Sequence, residues 1–212
     1  MFDNLRPSDI WFLLANVSSL APVITGLYFF KRLDRDRKLL LGLFMYCAIV
    51  EFTNAWMFLH RQRTWMYHVF ILFEFGVFTF VLAKWSQSKL MRGLAVAGAV
   101  LFYILWCTFY FSHKLTERYS PIELVESVVL LVLGLYVITS ASIASEKPVL
   151  KSYRFWFAAV IFLYFASNLL FTYLLEKIFS GSGFSYGLWN IHSVVQIIVY
   201  LLFACAFYPE EE

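Results

Sequence analysis

Charge is what this chain has least of. Asp, Glu, Lys and Arg make up 15% of its 212 residues, against roughly 25% in a soluble domain. With 61% of the residues hydrophobic, that shortage excludes a water-soluble globular fold. Cysteine is scarce too. Cys47, Cys107 and Cys205 all fall inside hydrophobic stretches, and none has a partner at metal or redox spacing. A disulfide framework is excluded, and the three read as small buried apolar residues. No His-x-x-x-His or Glu-x-x-His pair exists, which removes the tight helical zinc motifs. The chain is read as having neither a serine-nucleophile turn nor a phosphate loop. Residues 180–183, Ser-Gly-Ser-Gly, read as a flexible outer loop. Long polar loops are missing as well, which leaves no room for a soluble domain on either side.

What is present is apolar length. Seven stretches, 9–30, 39–59, 66–85, 94–112, 122–145, 155–178 and 187–208, each approach the roughly 20 residues that cross a bilayer. The expected fold is an all-α membrane protein of seven transmembrane helices in a single domain, with the lipid bilayer as its solvent. Met1 to Ser8 holds one arginine, and no small-residue cleavage site follows. The first span therefore reads as a membrane helix and not a removable signal. Pro7, Ser8 and Asp9 suit its start, with Ser8 or Asp9 as N-cap.

Basic residues divide unevenly between the two ends of the spans. Eleven lie on one side: Lys31, Arg32, Arg35, Arg37 and Lys38, then Lys84, Lys89 and Arg92, then Lys147, Lys151 and Arg154. Six lie on the other: Arg6, Arg61, Arg63, Lys114, Arg118 and Lys177. The positive-inside rule puts the N-terminus outside and the C-terminus, with its Pro-Glu-Glu-Glu tail, in the cytoplasm. These charges are a topology signal, so no nucleic-acid partner is expected. The compact loops suit a bacterial inner-membrane protein.

The chain echoes itself. Gly26-Leu27-Tyr28 in the first span answers Gly134-Leu135-Tyr136 in the fifth. Asn54 in the second answers Asn168 in the sixth, and Trp65-x-x-His68 answers Trp189-x-x-His192. This order implies a 3+1+3 parallel internal repeat, 9–85 and 122–208, in which the fourth span flips the chain once. Parallel repeats are a recurrent transporter plan. In architecture the chain is similar to the sugar-transporter and opsin-like seven-helix groups. The proline-glutamine signature of the sugar facilitators is absent, and residues 187–208 hold no retinal-binding lysine.

Polar residues inside the spans gather near one membrane face. Asn16 lies near the outer end of the first span, and Glu51 and Asn54 near that of the second. His68 and Glu74 lie early in the third, Glu123 and Glu126 open the fifth, and Asn168 and Thr172 sit in the outer part of the sixth. His192 and Gln196 come early in the seventh. Counted at about 1.5 Å per residue, all fall within roughly 15 Å of the outer surface. Residues 20–30, 129–138 and 197–207 are almost purely apolar, so the outer half reads as a cup and the inner half as a plug. Glu51 with Asn54, and Glu123 with Glu126, are i,i+3 pairs. His192 with Gln196, and Asn168 with Thr172, are i,i+4 pairs, so each pair shares a helix face. His68 and Glu74 are about 120° apart around their helix and cannot aim equally at one centre.

Several of these have structural readings. Asn54, Asn168 and Thr172 serve equally as interhelical hydrogen-bonding groups. Trp65 and Trp189 fit the aromatic belt. Glu123 fits a helix start after Pro121, and His60 and His113 fit solvated helix ends. Glu51, Glu74 and Glu126 resist such readings, because a carboxylate inside a span is costly unless paired or wetted.

Two functions fit the cluster. In the first, Asn16, Glu51, Asn54, His68, Glu74, Glu126, Asn168, His192 and Gln196 bind a small polar ligand from outside, for transport or sensing. Trp11, Trp56, Phe70 and Tyr173 would then supply stacking surface. A sensor needs a signalling partner or a homo-oligomer, since the chain has no output domain of its own. In the second, His68, His192, Glu51 and Glu74 hold zinc or haem in an intramembrane enzyme. The alkaline ceramidase and progestin-receptor type offers an architectural analogy. Its histidine pair at i,i+4 reads His192 and Gln196 here, and glutamine is a poor zinc ligand. A proton-coupled transporter loses uptake on Glu51→Gln or Glu74→Gln, whereas an enzyme loses stoichiometric metal on His68→Ala or His192→Ala.

Overall fold

The computed structural model describes residues 7–59, 66–111, 121–144, 149, 152–178 and 185–208. These are almost entirely helical: α1 (Pro7–Ser18), α2 (Leu20–Tyr28), a 3-10 turn (Phe30–Arg32), α3 (Arg35–Leu59), α4 (Met66–Trp85), α5 (Lys89–Phe111), α6 (Pro121–Ala144), α7 (Tyr153–Ile178) and α8 (Ser185–Ala206). No strand occurs among the described residues. Five stretches among them are long and apolar enough to cross a membrane: Ile10–Tyr28, Arg35–Met57, Lys89–Phe111, Ile122–Ile143 and Tyr153–Phe171. The helix Asn190–Ala206 is apolar and shorter.

Helix α5 shows what these helices are built for. Its buried residues are Met91, Ala95 and Phe102, while Leu90, Val96 and Ile104 are 71%, 65% and 58% exposed. A face so apolar and so bare would be insoluble in water, and its solvent is hydrocarbon. The protein is an integral membrane protein.

The first span is not one helix. It breaks at Ser19 into α1 and α2, where an unbroken helix over 9–30 is expected from hydropathy. The cause is Pro22, which has no N–H for the Ser18 carbonyl and whose ring would collide with it. Serines repair the break locally: Ser18 Oγ donates to the Ala15 carbonyl and Ser19 Oγ to that of Asn16, both at 2.6 Å.

Two helices, α3 and α5, start a full turn or more before their apolar runs. α3 begins at Arg35 because Asp34 caps it, its Oδ1 accepting the Arg37 backbone N–H at 2.9 Å and Arg37 Nε at 3.3 Å. α5 begins at Lys89 behind Ser88, whose Oγ accepts the Met91 N–H at 3.4 Å. Both are side-chain caps on the third helical N–H. The basic residues near α3 are partly engaged: Arg37 pairs with Asp34, and Lys38 lies 5.1 Å from the centre of the Phe30 ring. Pro7 is the first residue of α1, which places Ser8 and Asp9 inside the helix and not ahead of it.

The described chain forms two compact units, Met1–Tyr67 with Leu170–Pro209, and His68–Leu169. In the first, α8 packs on α1 and α2, and α2 on α3. Gly26 makes the α2–α3 approach possible, since a Cβ there would stand 2.5 Å from Leu41 Cδ1. α3 and α8 share an antiparallel seam. Phe44 packs on Phe203 and Phe207, and Cys47 and then Glu51 follow along α3 as α8 steps back through Tyr200 to Gln196. These positions recur every three or four residues, as one helix face requires.

In the second unit α6 buries Ile122, Glu126, Leu130, Leu133 and Val137, one stripe at heptad spacing. Gly98 lets α5 close on Val129 of α6, and Gly134 of α6 faces Ala158 and Phe162 of α7. Phe75 of α4 stacks on Phe102 of α5, centroids 4.0 Å apart. Asp34→Ala removes the α3 cap and leaves the buried Arg37 short of its carboxylate. It should cost about 1 kcal/mol, read as a lower unfolding temperature in detergent, whereas Asp34→Asn should retain most of the stability.

Candidate functional site

Glu51 stands on the α3–α8 seam in the first unit. Facing it, α8 presents Gln196 and Tyr200 at i,i+4. Gln196 Nε2 donates to Glu51 Oε1 at 3.1 Å, and the Tyr200 hydroxyl donates to the same oxygen at 3.2 Å. Both bonds fall on Oε1, and no bond to Oε2 is present among the described residues. Cys47, one turn before Glu51, has its Sγ 3.2 Å from the Tyr200 hydroxyl. That hydroxyl has one proton and commits it to Glu51, so the thiol is the donor in the Cys47–Tyr200 pair. The result is a chain of donors ending on a carboxyl group. No Lys, Arg or His pairs with Glu51 among the described residues.

Two amide oxygens of the same unit are buried and accept no hydrogen bond among the described residues. Asn54, one turn past Glu51 on the same face of α3, has Oδ1 buried without a hydrogen bond. Asn16 on α1 is 2% exposed. Its Nδ2 donates to the Phe12 carbonyl at 2.7 Å. That bond fixes which way the amide points, because only the nitrogen can donate to a carbonyl. The Asn16 Oδ1 is left buried without a partner. On α8, one turn before Gln196, the His192 ring meets Phe171 of α7 edge-on at 5.1 Å between centroids.

The second unit holds the other carboxyl groups. Glu74 on α4 and Glu126 on α6 are both buried, at 7% and 4% exposed. Glu126 is within electrostatic reach of Glu74 and of Glu123. It occupies a position on the α6 stripe that its neighbours fill with Leu, Ile and Val. Asn168 is half-buried on α7 of the same unit.

The expected site residues thus fall into two groups. Asn16, Glu51, Asn54, His192 and Gln196 share the first unit; Glu74, Glu126 and Asn168 share the second. The side chains of His68, Thr172, Tyr173 and Trp189 lie outside the described residues, as do Trp65, His60 and His113. Of the expected stacking aromatics, Trp11 and Trp56 are exposed on the first unit, and Phe70 is buried in the second.

Tyr200 and Cys47 are site residues that the sequence reading passed over, because 197–207 looked like an apolar plug. The signal was spacing: His192, Gln196 and Tyr200 continue one stripe at i,i+4, and Cys47 stands four residues before Glu51. One motif also needs correction. Residues 183–187 read Gly-Phe-Ser-Tyr-Gly, the spacing of a serine-nucleophile turn. That turn joins a strand to a helix; here Ser185 opens α8, and no strand occurs among the described residues. Nor does any group of three or more His, Cys, Asp or Glu stand together as a metal site among them.

A double-mutant cycle on Glu51→Leu and Tyr200→Phe should give a coupling of about 0.6–1.7 kcal/mol, the range for hydrogen bonds between membrane helices. A coupling indistinguishable from zero would mean that the two side chains do not meet in the folded protein. No protein-family model, curated protein or solved structure matches the chain.

Proposed function

We propose that the chain is a seven-helix inner-membrane protein that binds a small polar ligand on the extracytoplasmic side, for transport or sensing. The observation that carries this reading is the Glu51–Gln196–Tyr200 network in the same unit as the buried amide oxygens of Asn54 and Asn16, which accept no hydrogen bond among the described residues. Unpaired polar atoms in a buried setting are costly, and a bound polar molecule would satisfy them. The break in the first span adds support. Discontinuous membrane helices in transporters expose backbone and polar side chains to substrate, and Asn16 sits within one turn of Ser19.

Orientation follows from the basic end of α3. Exposed Lys31, Arg32 and Arg35 precede or open that helix, and Glu51 lies toward its other end. A cytoplasmic location for the basic end puts Glu51 in the outer half. The 3+1+3 repeat rests on the sequence matches; of its paired glycines both face the next span, Gly26 too close to Leu41 for a Cβ and Gly134 at ordinary contact distance from Ala158 and Phe162.

The competing reading gives His68, His192, Glu51 and Glu74 to zinc or haem, and one measurement separates the two. Protein purified in mild detergent is analysed for metal and for co-purifying small molecules by elemental analysis and mass spectrometry. The ligand reading expects an organic molecule near one per chain that is lost from Glu51→Gln. One metal per chain, lost on His68→Ala or His192→Ala, would replace it with the enzyme reading.

A further inference from the structure

We infer that the ligand of the first unit is a primary ammonium compound, gripped through its three N–H donors by Glu51, Asn54 and Asn16. This rests on the ligand-binding reading above and adds the chemical class. The argument is one of donors and acceptors. The donors of the network each make a bond: Gln196 Nε2 and the Tyr200 hydroxyl to Glu51 Oε1, the Cys47 thiol to Tyr200, and Asn16 Nδ2 to Phe12. The amide atoms of Asn54 and Asn16 that are buried without a bond among the described residues are their Oδ1 oxygens, and Glu51 Oε2 also accepts none there. A carboxylate or phosphate ligand, which brings only acceptors, would leave these oxygens unsatisfied. An alkylammonium group brings three donors and no acceptor, and its charge supplies the counter-ion that Glu51 lacks among the described residues.

Placement agrees with this stoichiometry. Glu51 and Asn54 are i,i+3, which sets their Cβ atoms about 5–6 Å apart on one face. Asn16 belongs to α1, which packs against both α3 and α8. Counted along the helices at about 1.5 Å per residue, Asn16 stands roughly 14 Å from the first residue of α1 and Glu51 roughly 12 Å from the last of α3.

The test is direct binding to the purified full chain, by calorimetry and thermal shift, of four probes of similar size: propylammonium, tetramethylammonium, propanol and propionate, with sodium chloride as the salt control. Propylammonium should bind saturably and at least about tenfold more tightly than the rest, since a hydrogen bond to a charged partner is worth a factor of that order. Glu51→Gln should weaken it by about tenfold or more. This variant keeps an oxygen for Gln196 and Tyr200, so the seam stays closed. Asn54→Leu removes an unpaired acceptor, so it should fold at least as well as the wild type and still bind propylammonium several-fold more weakly. Equal binding of tetramethylammonium, which has the charge and no N–H, would overturn the inference. So would a response to sodium alone. Preference for propanol or propionate, lost on Glu51→Gln, would overturn the ammonium assignment and leave the small-ligand reading standing. If none of the probes binds in a Glu51-dependent way and nothing co-purifies, both readings fall.

Discussion

A carboxyl group inside a membrane helix must find its hydrogen bonds within the protein, because hydrocarbon offers none. In the first unit that requirement is met across the α3–α8 seam. Glu51 takes two donors from α8 on a single oxygen, and Tyr200 passes the constraint on to Cys47. Satisfying the carboxyl therefore fixes how far α8 can slide along α3. A shift of one turn would leave an acceptor and two donors unpaired at once. Phe44 packing between Phe203 and Phe207 sets the same register by shape. Polar and apolar halves of the seam thus agree on one alignment, which is the kind of consistency that specifies a single structure.

Apolar packing has a different meaning here than in water. Lipid tails are as apolar as leucine, so burying Phe75 against Phe102 gains contact and shape complementarity and little transfer energy. Glycine is what lets such contact become close. Gly26 and Gly98 each open one helix to a neighbouring side chain, and a methyl group at either would press on what lies opposite. The two units are each assembled by this means, and the carboxyl groups are held in them by the surrounding packing.

Composition and hydropathy made the helical membrane class legible, because apolar length is what a bilayer selects. They located helix ends less well. Asp34 and Ser88 cap helices outside the apolar runs, and hydropathy does not register a cap. Pro22 was visible in the sequence, yet a window average treats proline in an apolar stretch as one more residue. The site was half legible. Glu51, Asn54 and Gln196 announced themselves as polar residues at helical spacing. Tyr200 and Cys47 did not, because each passes for an apolar residue until a hydrogen-bond partner is seen. Depth along a span does not say which helices are neighbours, so it does not register that Asn16, Glu51, Asn54, His192 and Gln196 belong to one unit and Glu74, Glu126 and Asn168 to the other.

The three cysteines carry a practical consequence. Cys47 is buried with its proton engaged on Tyr200, while Cys107 on α5 and Cys205 on α8 are exposed. Water-soluble thiol reagents arrive from the aqueous phase, so packing shields Cys47, while the two exposed thiols are open to whatever solvent their helix faces meet. The native chain thus carries its own reporters: reaction at Cys107 or Cys205 would say whether that face of α5 or α8 meets water or lipid.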